Sequence, residues 1–473
     1  MRTVVSNNLY IYNCTKEIRD WAENNLLVRN PTYETLMRIG KQDQVIRKHI
    51  PDKMRLFVVK NGGIFSNPYG DIVIPFGCLN AIWNYIKDEP FELKLNNAGD
   101  ISCKSDQITQ PLFDYQEEAV QKMVAAKGGI LIGGTGSGKT NCGIEIIHRI
   151  GKKFLWLTHT KDLVRQSYER MKKLYPNMQV GTVGDGKVEF GIDGTIATVQ
   201  TMVTLDKDLY RNDFDLVICD ECHHVSGSPE LMKMFAKVVE TIPARYKFGI
   251  TASEKRNDSL TKTIYTILGT NTKGEFAPVW HIDREDTNTL TAEHIKVELH
   301  TPFSYEMLNP DGTFNYPGLV DYIAGNEDRN KAIVDKIIEV SKDQERKQLV
   351  LCSRVSQCEE LYNQLCDAGI QTELLIGKVS AKKREKVLNE KVDWQVIVAT
   401  VSLAKEGLDL PSLNTLHLVS CISNESDTIQ SVGRIERFKE GKPQPIVYDY
   451  VDVNIPYLNS RYKKRVNWLK RRR

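Results

Sequence analysis

The sequence predicts an α/β protein in which two tandem parallel-sheet domains follow a small α/β unit. Three observations predict it. Short apolar runs alternate with helical stretches from about residue 110 to 285, and the rhythm returns from about 326 to 455. Short buried strands separated by helices mark a parallel sheet. The first run of the first stretch ends in a glycine-rich loop that opens a helix. The chain's 473 residues also exceed what one hydrophobic core organises, at about 150 residues per domain.

Residues 1–105 hold VVSNNLYIY and RLFVVK, rich in the β-branched and aromatic residues of strands. KNGG and SNPYGD are turn signals, and FGCLNAIWNYI carries apolar residues at helical spacing. Nothing there looks catalytic. In 106–285 the strands are GGILIG, FLWLTH, TIATVQ, DLVICD and KFGITA, with KDLVRQSYERMKKLY among the helices. Residues 286–325 have weaker periodicity and contain NPDGTFNYPG, so a connection is expected there. In 326–455 the helical RNKAIVDKIIEV precedes the strands QLVLCS, QTELLIG, QVIVAT, TLHLVS and QPIVYDYV. Residues 456–473 read as a basic C-terminal tail.

Composition excludes some classes. Apolar residues make up 41% and charged residues 26%, ordinary for a soluble protein. No apolar run reaches the ~18–20 residues that span a bilayer, and MRTVVSNNLY does not begin like a signal peptide. The ten cysteines are scattered, which in a large chain without an export signal implies a reducing compartment. The expected location is the cytoplasm, a host cell's if the chain is phage-encoded. Net charge is +3, yet RYKKRVNWLKRRR (461–473) holds eight Lys/Arg and no acid. Without it, 56 basic residues face 61 acidic ones. Such an end, with Tyr462 and Trp468 embedded, suits either nucleic-acid contact or a solvated terminus.

GGTGSGKT, Gly133 to Thr140, fits G-x-x-x-x-G-K-[ST] between a strand and a helix. Gly133, Gly136, Ser137 and Gly138 let backbone N–H groups turn inward around a phosphate. Lys139 adds a point charge, Thr140 a Mg²⁺ ligand, and the helix N-terminus its dipole.

CDECHH, Cys219 to His224, poses a choice between a metal site, a redox pair and a carboxylate pair. Zinc needs four ligands, usually in two separated pairs, and the chain has no second C-x-x-C. No zinc is expected. An apolar strand ending in two acids about eighty residues after a phosphate loop fits the third reading. Asp220 would bind Mg²⁺ and Glu221 would deprotonate water. Strand alternation places Cys219 with Glu221 on one face and Asp220 with Cys222 on the other, with Cys219 a buried strand residue. His223 is the expected coupler between nucleotide state and nucleic-acid grip. His224 fits a packed loop histidine at least as well.

Together these motifs resemble superfamily 2 helicases and translocases. LFDYQ resembles the Q motif, with Gln116 reading adenine; GGTGSGKT resembles motif I and DECH motif II. LTHTKDLVRQ and ATVQT resemble the backbone-contacting motifs Ia and Ic, which would use Thr160, Lys161 and Thr201. GITAS resembles motif III, with Thr251 and Ser253 in coupling positions, and LVLCSRVSQCEEL resembles motif IV. TVSLAKEGLDLP resembles motif V, with Gly407 and Asp409 facing nucleotide. QSVGRIER resembles motif VI and carries Gln430, Gly433, Arg434 and Arg437. The motifs run in the family's order from about 112 to 437. They imply two RecA-like domains, ATP and Mg²⁺, and arginine fingers at Arg434 and Arg437 that act when the domains close.

TASEKRND (251–258), GNEDRNKAI and DIVIPFGCLNAI are similar to stretches of the XPB-like and UvsW-like DNA helicases, and the first adds Arg256 to the nucleic-acid contacts. Ser431 and Ser259 depart from those patterns. The resemblance implies an ATP-dependent DNA helicase or translocase that remodels forks, displacement loops and four-way junctions by branch migration, moving 3′ to 5′. It would be a monomer or weak oligomer whose residues 1–105 recognise DNA. The alternatives are a duplex translocase within a larger assembly and an RNA helicase. An ATP-gated binding scaffold suits Glu221 poorly, because binding alone needs no water-activating acid.

Overall fold

By Tyr12, an antiparallel pair, Arg2–Val5 with Asn8–Tyr12, has already set the centre of the first sheet. The expected VVSNNLYIY strand is thus two strands joined at Ser6 and Asn7. The computed structural model describes all residues but 61–68, 135, 226–233, 253–259, 284–289, 378, 389–391, 403–409, 421, 423, 472 and 473. At 42, 47, 381, 382, 385, 388, 426 and 471 only the backbone is described. Its residues cluster into two units, Met1–Gly134 with Gly138–Asp283, and a second built on Arg284–Arg473.

In the first unit, strands are ordered Val58–Lys60, Asp71–Pro75, Asn8–Tyr12, Arg2–Val5, Phe91–Leu93. Leu9, Ile11, Ile72 and Ile74 pack with Ile18 and Ile82 of the helices Lys16–Asn25 and Leu79–Ile86. This small sheet is seated closely on the larger sheet domain of the same unit. A Cβ at Gly77 would stand 2.4 Å from the Tyr265 carbonyl oxygen and 2.7 Å from the Gly269 nitrogen. The Gly77 carbonyl accepts from the Thr270 N–H at 3.0 Å. Asn96 N–H donates to the Pro243 carbonyl at 2.9 Å, and the N–H groups of Ala98 and Gly99 reach the Asp215 carboxylate at 2.9 and 3.2 Å.

The described residues next form an eight-stranded sheet, ordered Lys187–Val188, Val180–Gly184, Gly194–Thr198, Phe154–Thr158, Leu216–Asp220, Tyr246–Thr251, Gly128–Gly133, Trp280–Ile282. It is parallel except for the hairpin at 184–187. Successive residues of a strand serve opposite faces. Leu155, Leu157 and Val217 enter one core, while Phe154, Trp156, Leu216 and Ile218 enter the other. That two-sided burial explains why these strands read as continuous apolar runs.

The second unit is a six-stranded parallel sheet of described residues, ordered Glu293–Leu299, Ile446–Asp452, Thr415–Leu418, Gln348–Cys352, Val396–Thr400, Thr372–Leu375. Two expectations need correction. The stretch 286–325 is more than a connection: Glu293–Leu299 pairs with Ile446–Asp452 along its whole length, and Tyr316–Ala324 is a helix. As an edge strand with mostly half-buried side chains, it lacks the apolar run that exposes a central strand to sequence reading. The basic tail is the helix Pro456–Arg471. Its Arg465 is buried in a bidentate pair with Asp449, Nε to Oδ2 at 2.9 Å and Nη2 to Oδ1 at 2.6 Å. Lys463, Lys464 and Lys470 stay exposed.

Candidate active site

The strand Gly128–Gly133 delivers the chain to the loop that opens the helix Lys139–Ile150. Gly136 and Gly138 have φ of +89° and +77°, a region that disfavours a Cβ. At 138 a second reason applies: a Cβ would lie 2.1 Å from Gln116 Nε2. Gln116 is therefore packed against the phosphate loop. It is the third residue of the helix Asp114–Ala126, and its Oε1 accepts the Phe113 N–H at 3.1 Å, which closes the helix end. Its Nε2 donates to the Tyr115 hydroxyl at 3.3 Å. The Phe113 and Tyr115 rings stack at 5.7 Å and 9°, with Phe113 54% exposed. Sequence reading singled out Gln116 and missed these aromatic neighbours, although both flank it within LFDYQ.

Lys139 Nζ donates to the Gly134 carbonyl at 3.2 Å. Thr140 follows in the first helical turn, half-buried, and Ser137 is a buried residue of the loop itself. Gly133 ends the strand.

The carboxylates stand where strand Leu216–Asp220 gives out. Glu221 has φ +50°, left-handed and rare for a non-glycine residue. Its N–H donates to Asp220 Oδ1 at 3.0 Å. This turn ends the strand alternation, so the expected faces are corrected. Cys219 and Cys222 enter the same core, and Cys222 Sγ fills the space over Gly249. Burial pushes both thiols up, away from the thiolate that binds metal. Among the described residues no group of three His, Cys, Asp or Glu side chains is placed to hold a metal ion.

Beyond the turn, His223 Nδ1 lies 2.9 Å from Thr251 Oγ1 and 3.3 Å from Glu221 Oε2. The Thr251 hydroxyl donates to Glu221 Oε2 at 3.4 Å. With that hydroxyl donating, its oxygen accepts from Nδ1–H, which assigns the tautomer. Thr251 closes the neighbouring strand Tyr246–Thr251, so parallel pairing brings motifs II and III together. The two carboxyls are pushed apart in acidity. Burial, then the charge of Glu221, raises Asp220 well above the usual carboxylate range. Burial acts on Glu221 too, but the hydrogen bond from His223 and the charge of Lys139 outweigh it and hold the group low. Buried Asp220 and the Thr140 hydroxyl are hard oxygen donors, the set that suits Mg²⁺, and a cation there would offset the charge that burial disfavours.

The other expected contacts fall differently. Thr160 caps the helix Lys161–Leu174, its Oγ1 accepting the Leu163 N–H at 3.3 Å. Exposed Lys161 pairs with Asp185. Thr201 Oγ1 accepts from Thr198 Oγ1 at 2.9 Å. In the second unit, Gln430 and Arg434 lie on the helix Glu425–Ile435, with Arg437 two residues past its end. The Glu436 carboxylate accepts the Ala292 N–H at 3.1 Å and its carbonyl the Leu290 N–H at 2.8 Å. Ser253, Arg256, Gly407 and Asp409 lie outside the described residues.

Two family models match in chain order. Residues 109–256 match the type III restriction enzyme res subunit, and residues 329–439 the helicase conserved C-terminal domain. A protein of Acanthamoeba polyphaga mimivirus, named as an ATP-dependent RNA helicase, is 26% identical over 85% of this chain and 80% of its own. A helicase of Escherichia phage T5 is 25% identical over 68% of this chain and 67% of its own. A DNA 3′-5′ translocase of the XPB type from Sulfurisphaera tokodaii is 24% identical, covering 70% and 79%. The crystal structure of T4 UvsW aligns at 16% identity over 100% of this chain and 97% of that one, with a TM-score of 0.39. No described helix is long and apolar enough to cross a membrane. With both helicase domains present in order, the chain belongs to the superfamily 2 helicases, an ATP-dependent enzyme with XPB-like and viral relatives.

Proposed function

We propose that this helicase acts on DNA, remodelling branched structures by ATP-driven 3′ to 5′ movement. In this reading the phosphate loop and Lys139 hold the nucleotide phosphates, with Gln116 at the adenine edge. Thr140 and Asp220 hold Mg²⁺, which would supply charge stabilisation at the phosphates. Glu221 takes the proton of the attacking water. Arg434 and Arg437 stabilise the charge that develops, while His223, Thr251, Ser253 and Gln430 carry the coupling. Thr160, Lys161, Thr201 and Arg256 meet the nucleic-acid backbone, and residues 1–105 select the structure of the DNA. One observation supports the hydrolytic part: Glu221 is a carboxylate fixed at the strand end, its Oε2 held by His223 Nδ1 at 3.3 Å and the Thr251 hydroxyl at 3.4 Å, and an oriented carboxylate is a group that can take a proton from water. The choice of DNA is supported by the XPB-type relative and by TASEKRND. The mimivirus relative favours RNA as the second reading.

The test is ATP hydrolysis at fixed salt with no nucleic acid, single-stranded DNA, duplex, fork, four-way junction and RNA. The proposal expects the fork or junction to stimulate most. RNA alone as activator would overturn the choice of DNA, and plain duplex as the best activator would favour a translocase. Glu221→Gln should keep ATP binding and lower turnover by about a hundredfold or more. Turnover within a few-fold of wild type would remove Glu221 from the chemistry.

A further inference from the structure

Three histidine rings stand in a row beside the carboxylates. His159 and His224 have centroids 4.4 Å apart, tilted by 46°, and His224 and His223 are 4.2 Å apart, tilted by 39°. One end of the row is His223, in contact with Glu221 and Thr251. The other end is His159, in the turn between the strand Phe154–Thr158 and the helix that Thr160 caps. The His159 carbonyl accepts Gln200 Nε2 at 2.8 Å, which ties it to the short helix Val199–Met202 that carries Thr201. The row thus joins the water-activating carboxylate to both segments proposed to meet the nucleic-acid backbone.

His224 is the middle ring, and it is exposed. Its ring also lies against Phe235 of the first core, centroids 6.4 Å apart and planes at 14°, so the middle of the row is held on the domain's packed interior. The rings are tilted against one another rather than stacked flat, and among the described residues no group of three His, Cys, Asp or Glu side chains is placed to hold a metal ion. What a row of packed rings transmits is position, because packed groups resist continuous deformation. The receiving end is sensitive: Glu221 sits at φ +50°, a strained conformation that neighbouring contacts must hold.

We propose that His224 is a positioning residue, the link through which nucleic acid bound along 159–161 and 200–201 resets Glu221 for hydrolysis. This rests on the roles proposed above for Glu221 and for those segments. The experiment compares wild type, His224→Ala and His224→Phe in the full chain. It measures basal and nucleic-acid-stimulated turnover, KM for ATP, and binding of a labelled oligonucleotide with a non-hydrolysable ATP analogue. His224→Ala should cut the stimulated-to-basal ratio by about fivefold or more, the lower end of ordinary coupling between sites. KM for ATP should stay within about twofold and oligonucleotide binding within about threefold, since coupling rather than affinity is lost. His224→Phe keeps a ring in the row and should retain more than half of the stimulation. An unchanged ratio in His224→Ala overturns the proposal. So does a phenylalanine variant as poor as alanine, or a loss that follows oligonucleotide binding. Wild type unmoved by every polymer would instead sink the reading of nucleic-acid-driven hydrolysis, and this link with it.

Discussion

Acidification from about pH 7.5 to about pH 5 should weaken the second unit through a single buried histidine. His417 lies in the strand Thr415–Leu418 and is wholly buried. Gln348 Nε2 donates to Ser341 Oγ at 2.7 Å, which turns its Oε1 toward His417 Nε2, 2.8 Å away. Nε2 therefore carries the proton, and Nδ1 accepts from the Tyr450 hydroxyl at 2.9 Å. The neutral ring is satisfied on both nitrogens and stacks on Tyr448 at 5.1 Å. A second proton, on Nδ1, would break the bond that the Tyr450 hydroxyl donates and place a charge in a fully buried site. Burial, then the positive charge of Lys336, lowers its pKa from 6.5 to about 3. In the unfolded chain the ring titrates near its ordinary value, so below about pH 6.5 the unfolded state binds the extra proton. Stability from the neutral ring is full above that pH and is lost progressively toward about pH 3. At about 1.36 kcal/mol per pKa unit, the loss by pH 5 is ~2 kcal/mol. Carboxylates also titrate in this range, so the readout is the difference between wild type and His417→Gln. Urea unfolding of both at the two pH values gives it. Glutamine gains no proton, so the wild-type advantage at the higher pH should shrink by ~2 kcal/mol at the lower. An advantage constant to within about 0.5 kcal/mol would show that the ring titrates alike in both states and refute the reasoning.

Two further substitutions probe the site and its frame. Gly138→Ala places a Cβ on a residue at φ +77° and against Gln116 Nε2. It should lower kcat/KM for ATP by about tenfold or more, and Gln116→Ala in the same chain should not add its full effect, because the two share one contact. Strict additivity in steady-state kinetics would deny that contact. Arg465→Ala strands the Asp449 carboxylate, which loses both guanidinium bonds and keeps the contact with His294 Nε2 at 3.2 Å. The second unit should lose roughly 3–5 kcal/mol by chemical denaturation, as broken buried pairs do. A loss near zero would mean that the helix Pro456–Arg471 is not anchored by this pair.

Much of this was legible in the sequence for a physical reason. Central strands of a parallel sheet are buried on both faces, so GILI, FLWLT, LVICD and VIVAT announce themselves as apolar runs. The strand Glu293–Leu299 was illegible because an edge position leaves its side chains half exposed and its sequence polar. The helix Pro456–Arg471 was hidden by its charge: composition shows a basic run but not that Arg465 turns inward to Asp449. In the site, Gln116, Lys139, Asp220 and Glu221 came from spacing along the chain. The backbone reversal at Glu221 did not, since neither a glycine nor a proline marks it. That reversal is also why alternation misassigned Cys222, which lies in the core shared by Cys219.

The seat of Gly77 on the Tyr265 carbonyl bears on how such a protein can be inherited in parts. An accessory domain on a free linker can be traded between motors, because neither side records the other's shape. Here the fit is recorded on both sides, down to a missing Cβ on one and the backbone of residues 265–270 on the other. A foreign first domain would need its own acceptor surface around Asp215, Pro243 and Thr270. The opening hundred residues and the first sheet domain thus fit as one packed part, and exchanging either requires matching changes in the surface of the other.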